Sequence, residues 1–362
     1  MKRRRDFALV WLIAAPLAAQ SPSRVRVPVA PPGCYATPTS LTPPSWHAPA
    51  RVVALPPKGS LTLVREIPLP GPPNRFDYQS FDPSTRRLYI NHMDAGRTVV
   101  FEADSNRVMT EIRGVPRPTG VLAVPSHHRV YVSAAGAHEV VIIDDQTLTP
   151  RSRVGRIRFP DGIAYASEAD KVFVSDESGN ADVVIDAKTE TKRSTIALGG
   201  EAGNTHYDPV SHCILVAVQT RNQIVAIDPV SEKVIRRYDL PGSNHPHGFT
   251  IDEDDRLAFV SSEGNALLQV LDLQRMRVIT QQRVGDSPDV LAWDPVWRLL
   301  YVASESGVLS VFWLEGNTLT PSGELRAPHM HTVSVDPRTH RVYVPLENVN
   351  GHPVLRIYQP SR

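Results

Sequence analysis

Apolar residues in this chain fall into short runs that return at a fixed interval. Leu88-Tyr89-Ile90, Val130-Tyr131-Val132, Val172-Phe173-Val174, Ile214-Leu215-Val216, Ala258-Phe259-Val260, Leu300-Tyr301-Val302 and Val342-Tyr343-Val344 start at 88, 130, 172, 214, 258, 300 and 342, a period of 42 residues with a single 44. Such β-branched and aromatic runs read as strands, and a repeat of this length reads as propeller blades. Each run follows a polar turn, with Asp-Pro at Asp82-Pro83, Asp208-Pro209, Asp294-Pro295 and Asp336-Pro337. There Asp accepts from the turn backbone and Pro presets φ. A third run such as Val140-Val141-Ile142-Ile143 and a polar outer strand complete the unit. The apolar runs are continuous rather than alternating, which places both faces of each strand between neighbouring sheets.

The expected fold is therefore all-β: one seven-bladed β-propeller with four-stranded blades over 61–362. The seventh repeat contains only three strands before residue 362, while 61–69 carries a strand pattern ahead of the first repeat. That N-terminal strand is expected to supply the missing outer strand of the last blade and close the ring.

The phrase Asp82-Pro83-Ser84-Thr85-Arg86-Arg87-Leu88-Tyr89-Ile90-Asn91 and its six counterparts resemble the repeats of the YVTN-repeat (YncE-like) seven-bladed β-propellers. The resemblance covers 61–362 and implies an exported propeller. The matching residues form turns and core, so it transmits a fold and no activity. Related propellers include lactonases and quinoprotein-like subunits.

Residues 1–19 read as a signal peptide. Lys2, Arg3, Arg4 and Arg5 precede a short apolar stretch from Phe7 to Ala19, too short for a transmembrane anchor. The Arg4-Arg5 pair fits either a twin-arginine or a Sec signal, so a periplasmic or extracellular location is expected. Removing 1–19 takes the formal charge from +1 to −2. That balance, with no basic run, argues against nucleic acid as a partner. Residues 20–60 form a proline-rich extended arm, either a tether or a strap on the propeller. Cys34 and Cys213 are the only cysteines; export permits a disulfide between them without requiring one.

The register also locates the candidate chemistry. Sixteen residues before each loop that follows a second strand stand Asp77, Thr119, Asp161, Gly203, His247, Asp289 and His331. The loop position itself carries Met93, Ala135, Glu177, Gln219, Glu263, Glu305 and Glu347. Both sets are expected on one face, the first around the central channel and the second further out. Pro118, Pro160, Pro246 and Pro288 precede the first set, and Gly120, Gly162 and Gly248 follow it, the latter allowing close backbone approach.

A divalent metal ion held by His247, His331 and one or more of Asp77, Asp161 and Asp289 is the sharpest expectation. Nitrogen and carboxylate donors suit zinc, manganese, iron or copper better than calcium. Glu305 or Glu347 is then a candidate general base for a metal-activated water. The competing reading is a polar, water-lined channel mouth. In extended chain, His245 and His329 point the same way as His247 and His331, so each pair is expected to offer two imidazoles. Glu177 and Glu263 complete the ligand face, with Arg75 and Arg117 in the register of His245 as candidates for an anionic ligand.

No Gly-x-Ser-x-Gly elbow, no Cys-x-x-Cys-His and no phosphate-cradling Gly-rich loop occurs. Trp297 is expected either to pack on a neighbouring blade or to meet a partner. The leading function is an exported binding scaffold whose His/Asp/Glu face takes a small ligand or partner protein. The alternative is a metal-dependent hydrolase or lyase of lactonase type at the same mouth. Lactonase propellers use a Glu/Asn/Asp calcium set, and the histidines here depart from it.

Overall fold

The structure is a computed structural model that describes Cys34 and residues 60–361. The segments read from the sequence as signal peptide and arm, apart from Cys34 and Ser60, lie outside the described residues. Seven four-stranded antiparallel sheets stand in a ring. The first is Gln79–Asp82, Arg87–His92, Arg97–Glu102 and Arg107–Arg113, and five more follow in the same order. The seventh joins distant parts of the chain: Ser334–Val335, Val342–Val349, His352–Pro360 and, outermost, Leu61–Pro68. Glu66 pairs with Arg356 in that last ladder, so the expected closure by the N-terminal strand is present.

First strands touch one another in order around the ring, the seventh meeting the first, and they line the axis. The buried apolar side chains divide into seven clusters, one at each interface between adjacent blades. Val130 and Val132 face the first blade while Tyr131 faces the third, so the pleat sends alternate residues to opposite neighbours. Both neighbours are apolar, which explains the unbroken runs.

Five first strands lose register beside the channel, between Pro118 and Val121, Pro160 and Ile163, Ala202 and Thr205, Pro246 and Phe249, and Pro288 and Leu291. These breaks free backbone groups that buried side chains then satisfy. Ser133 Oγ donates to Asp161 O at 2.7 Å, and Asn91 Nδ2 donates to Thr119 O at 2.6 Å. Glycine is obligatory at two of the breaks. A Cβ on Gly120 would lie 1.9 Å from Asp161 O, and one on Gly248 would lie 1.7 Å from Asp289 O.

On the other face, the Asp turns are stitched blade to blade. The residue ending each turn adopts a left-handed φ, as at Arg86 (60°), Arg256 (57°), Arg298 (58°) and His340 (61°), which swings its side chain toward the preceding blade. Arg86 clasps Asp336, His340 Nδ1 meets Asp294 at 2.8 Å, Arg298 holds Asp255, and Arg256 holds Asp208 at 2.6 Å. His212 with Glu168 and Asp170 with His127 continue the series, so six of the seven seams carry such a clasp among the described residues. Trp297 stacks on His340 at 4.2 Å across one seam, which is the packing role rather than a free surface.

Candidate functional site at the channel mouth

The register breaks put the ring residues where the sequence expects them. Asp77, Thr119, Asp161, His247, Asp289 and His331 are all buried at the axis. Glu177, Glu263 and Glu347 are half-buried and Glu305 is exposed, whereas Met93, Ala135 and Gln219 of the same set are buried.

Histidine and carboxylate donors gather into two groups. Asp77, Asp289 and His331 offer ligand atoms within 4.8 Å of one another, and so do His247, Glu263 and Asp289. The two histidines therefore belong to separate groups that share Asp289, where the sequence reading put both on one ion. Asp161 belongs to neither. Its Oδ2 accepts from the Tyr78 hydroxyl at 3.5 Å, and that hydroxyl also meets His247 Nε2 at 2.9 Å. Tyr78 was not among the residues read from the sequence. A signal existed, because Tyr78 stands where the other blades carry Gly120, Gly162, Asn204, Gly248, Val290 and Thr332.

His331 Nε2, His247 Nδ1 and Asp289 Oδ1 are buried without a hydrogen bond, although Asp289 Oδ1 lies 3.4 Å from His247 Nε2. Such orphaned polar atoms are uncommon in folded proteins and call for a ligand, ion or water. Charge tells the same story. Burial and then the charges of Asp161 and Asp289 raise the Asp77 carboxyl well above its usual range. Burial likewise raises Asp161 and takes Asp289 up to about 6. Burial by itself would lower His247, but Glu263, Asp289, Asp161 and Glu177 outweigh it and raise the imidazole to about 9. Burial and then Arg75 push His331 down to about 3, leaving its ring neutral with a free lone pair. Glu177 rises to about 7 through burial and Asp161.

His245 and His329 do not join their partners. His329 is 64% exposed at its side chain while His331 is 4% exposed, and His245 is exposed and hydrogen-bonded to Asn244 at 3.0 Å. The cause is backbone: His245 and His329 have φ of 54° and 58°, which breaks the extended alternation that would have aligned the pairs. Arg75 reaches the site and pairs with Glu305 at 2.8 Å, so this glutamate is engaged rather than free. Glu347 faces His329 at 3.8 Å. Arg117 is exposed, its guanidinium 5.6 Å from the Phe159 ring centroid. Cys34 and Cys213 form a disulfide, resolving the pairing the sequence left open.

No protein-family model and no curated protein sequence matches the chain. Among solved structures it is similar to a chain of Kuenenia stuttgartiensis hydrazine synthase, with a TM-score of 0.66 at 16% identity over 80% of this chain and 96% of that one. At that identity the likeness carries the architecture alone: the chain is a seven-bladed β-propeller.

Proposed function

We propose that this protein is an exported binding propeller that takes its ligand at the channel mouth through a bound divalent transition metal. The observation that carries this reading is the trio of buried, unpartnered donor atoms, His331 Nε2, His247 Nδ1 and Asp289 Oδ1, on residues already within ligand distance of further carboxylates. Mixed imidazole and carboxylate donors fit zinc, manganese, iron or copper, and a cation would offset the burial that raises the Asp77, Asp161 and Asp289 carboxyls. A ligand offering a carboxylate, phosphate or other anionic oxygen would complete the coordination. The Cys34–Cys213 disulfide is compatible with an oxidising compartment and supports export. The YVTN-repeat resemblance points the same way.

Hydrolysis at the same mouth is the second reading. It is weakened at Glu305, whose carboxylate is committed to Arg75, and rests on Glu347 as base. Elemental analysis of the protein purified without an affinity tag tests the binding reading. Bound transition metal, lost in a His247→Ala/His331→Ala double variant that still folds, supports it. No metal as purified and none taken up on titration refutes it.

A further inference from the structure

We propose that the channel mouth holds a pair of transition-metal ions bridged by Asp289, one shared with Asp77 and His331 and the other with His247 and Glu263. This rests on the metal-dependent reading above and specifies the centre it requires. Three observations carry it.

The first is geometric. Two complete three-donor groups exist, each within 4.8 Å, and Asp289 is the one residue common to both. A carboxylate has two oxygens, so it can serve two cations at once. The second is the distribution of orphaned atoms. Each group contributes one buried imidazole nitrogen without a partner, His331 Nε2 in one and His247 Nδ1 in the other, and the shared carboxylate contributes Asp289 Oδ1. All three residues are more than nine-tenths buried. A single ion would leave one imidazole unsatisfied.

The third is the support behind His247. The Tyr78 hydroxyl donates to Asp161 and meets His247 Nε2. At 2.9 Å the Tyr78 hydroxyl fixes the Nε2 edge of the ring and leaves the orphaned Nδ1 turned toward Glu263, 3.7 Å away. A metal-bound histidine characteristically has its other ring nitrogen fixed in this way. Asp161 and Tyr78 are thus positioning residues, which accounts for Asp161 lying in the ring without joining either donor group. Charge agrees: Asp77 and Asp289 lie beside the Arg75 guanidinium, which is already paired with Glu305, and Asp161, Asp289, Glu177 and Glu263 crowd around His247. Three protein donors per ion leave positions open for water or for an oxygen of the ligand.

The test uses the full chain, stripped with a chelator and equilibrated with Mn2+ alone, then with Zn2+ alone. Two equivalents by elemental analysis, with an exchange-coupled Mn2+ pair by electron paramagnetic resonance, are expected. Glu263→Gln and Asp77→Asn should each retain one equivalent, and Asp289→Asn should lose the coupling and fall to one equivalent or fewer. Tyr78→Phe should keep both equivalents but bind the ion beside His247 about 10–100-fold more weakly. A packing role for Tyr78 would weaken neither ion. One equivalent in the unaltered protein overturns the pair while leaving the single-ion reading intact. No uptake overturns both, and two uncoupled ions overturn the bridge. Circular dichroism checks that each variant folds; if Asp289→Asn does not, the Glu263→Gln and Asp77→Asn counts decide.

Discussion

Arg86→Met tests the stitched face at the seam where the ring closes. The Arg86 side chain is 11% exposed and that of its partner Asp336 is 0% exposed. Nη1 donates to Asp336 Oδ1 at 2.8 Å, Nη2 donates to Oδ2, and Nε donates to Asp104 at 3.1 Å. Methionine keeps much of the apolar stem and removes the fork. Breaking a buried pair from one side costs about 3–5 kcal/mol, because the remaining charge loses its compensation. Arg338 N and the Thr339 hydroxyl still donate to Asp336, which places the loss near about 3 kcal/mol at neutral pH. Burial would raise the Asp336 carboxyl, but Arg86 with these two donors lowers it to about 2 from an ordinary 3.8. A lowered folded-state value stabilises above pH 3.8 and loses that contribution as pH falls through 2, a pH-dependent part of about 2 kcal/mol. Urea unfolding of both proteins, followed by tryptophan fluorescence at pH 7 and near pH 2.5, reads the difference. The gap should narrow toward low pH, and Arg86→Met/Asp336→Leu should recover part of the neutral-pH loss. A difference under about 1 kcal/mol at pH 7, or one that ignores pH, would refute the reasoning.

Gly248→Ala should cost about 1–3 kcal/mol or more and displace Asp289, since its Cβ meets the Asp289 carbonyl, whereas Gly155→Ala, with nothing within 4 Å, should be near neutral. Thermal melts and metal titration of both variants check this. Asp182→Asn probes a buried acid that burial raises to about 7 from 3.8, against a Thr205 hydrogen bond. A raised acid stabilises fully below pH 3.8 and loses that contribution as pH rises through 7, so the variant should gain stability relative to the unaltered protein between pH 4 and pH 8. Parallel urea titrations at the two pH values that show no relative change would contradict it. Cys213→Ser, or reduction of the unaltered protein, should lower stability by about 2–4 kcal/mol. Melting with and without reductant measures it, and Cys213→Ser should no longer respond to reductant.

The architecture was legible because every repeat solves the same packing problem with the same chemistry. Tyr89, Tyr131, Phe173, Phe259, Tyr301 and Tyr343 each fill an interface between blades, and the Asp turns recur with them. The ring of Asp77, Asp161, His247, Asp289 and His331 was legible for the same reason: a gapless register fixes where a residue stands. What the register cannot supply is distance across the axis between blades that are not neighbours. Hence the division of His247 and His331 between two donor groups, and the reach of Tyr78 from the first blade to His247 in the fifth, emerged only from the structure. His245 and His329 were misplaced by a local effect. Histidine is among the residues that tolerate a left-handed φ, as His128, His138, His212 and His340 also do here. An extended reading of the loop assumed alternation and so missed the turn that sends both outward.

The seventh blade sets an order of assembly. Arg356 and Glu66 lie 290 residues apart yet share a ladder. On a ribosome, six sheets can form as their residues emerge, but the ring stays an open crescent until 352–360 has been made. Until then the N-terminal strand has no partner, and the first and sixth blades each present a bare face. Closure is thus a late, single event that joins early chain to late chain across a long loop, which favours slow completion. Any passage of this chain across a membrane must therefore either precede blade formation, with the chain unfolded, or wait for the latch.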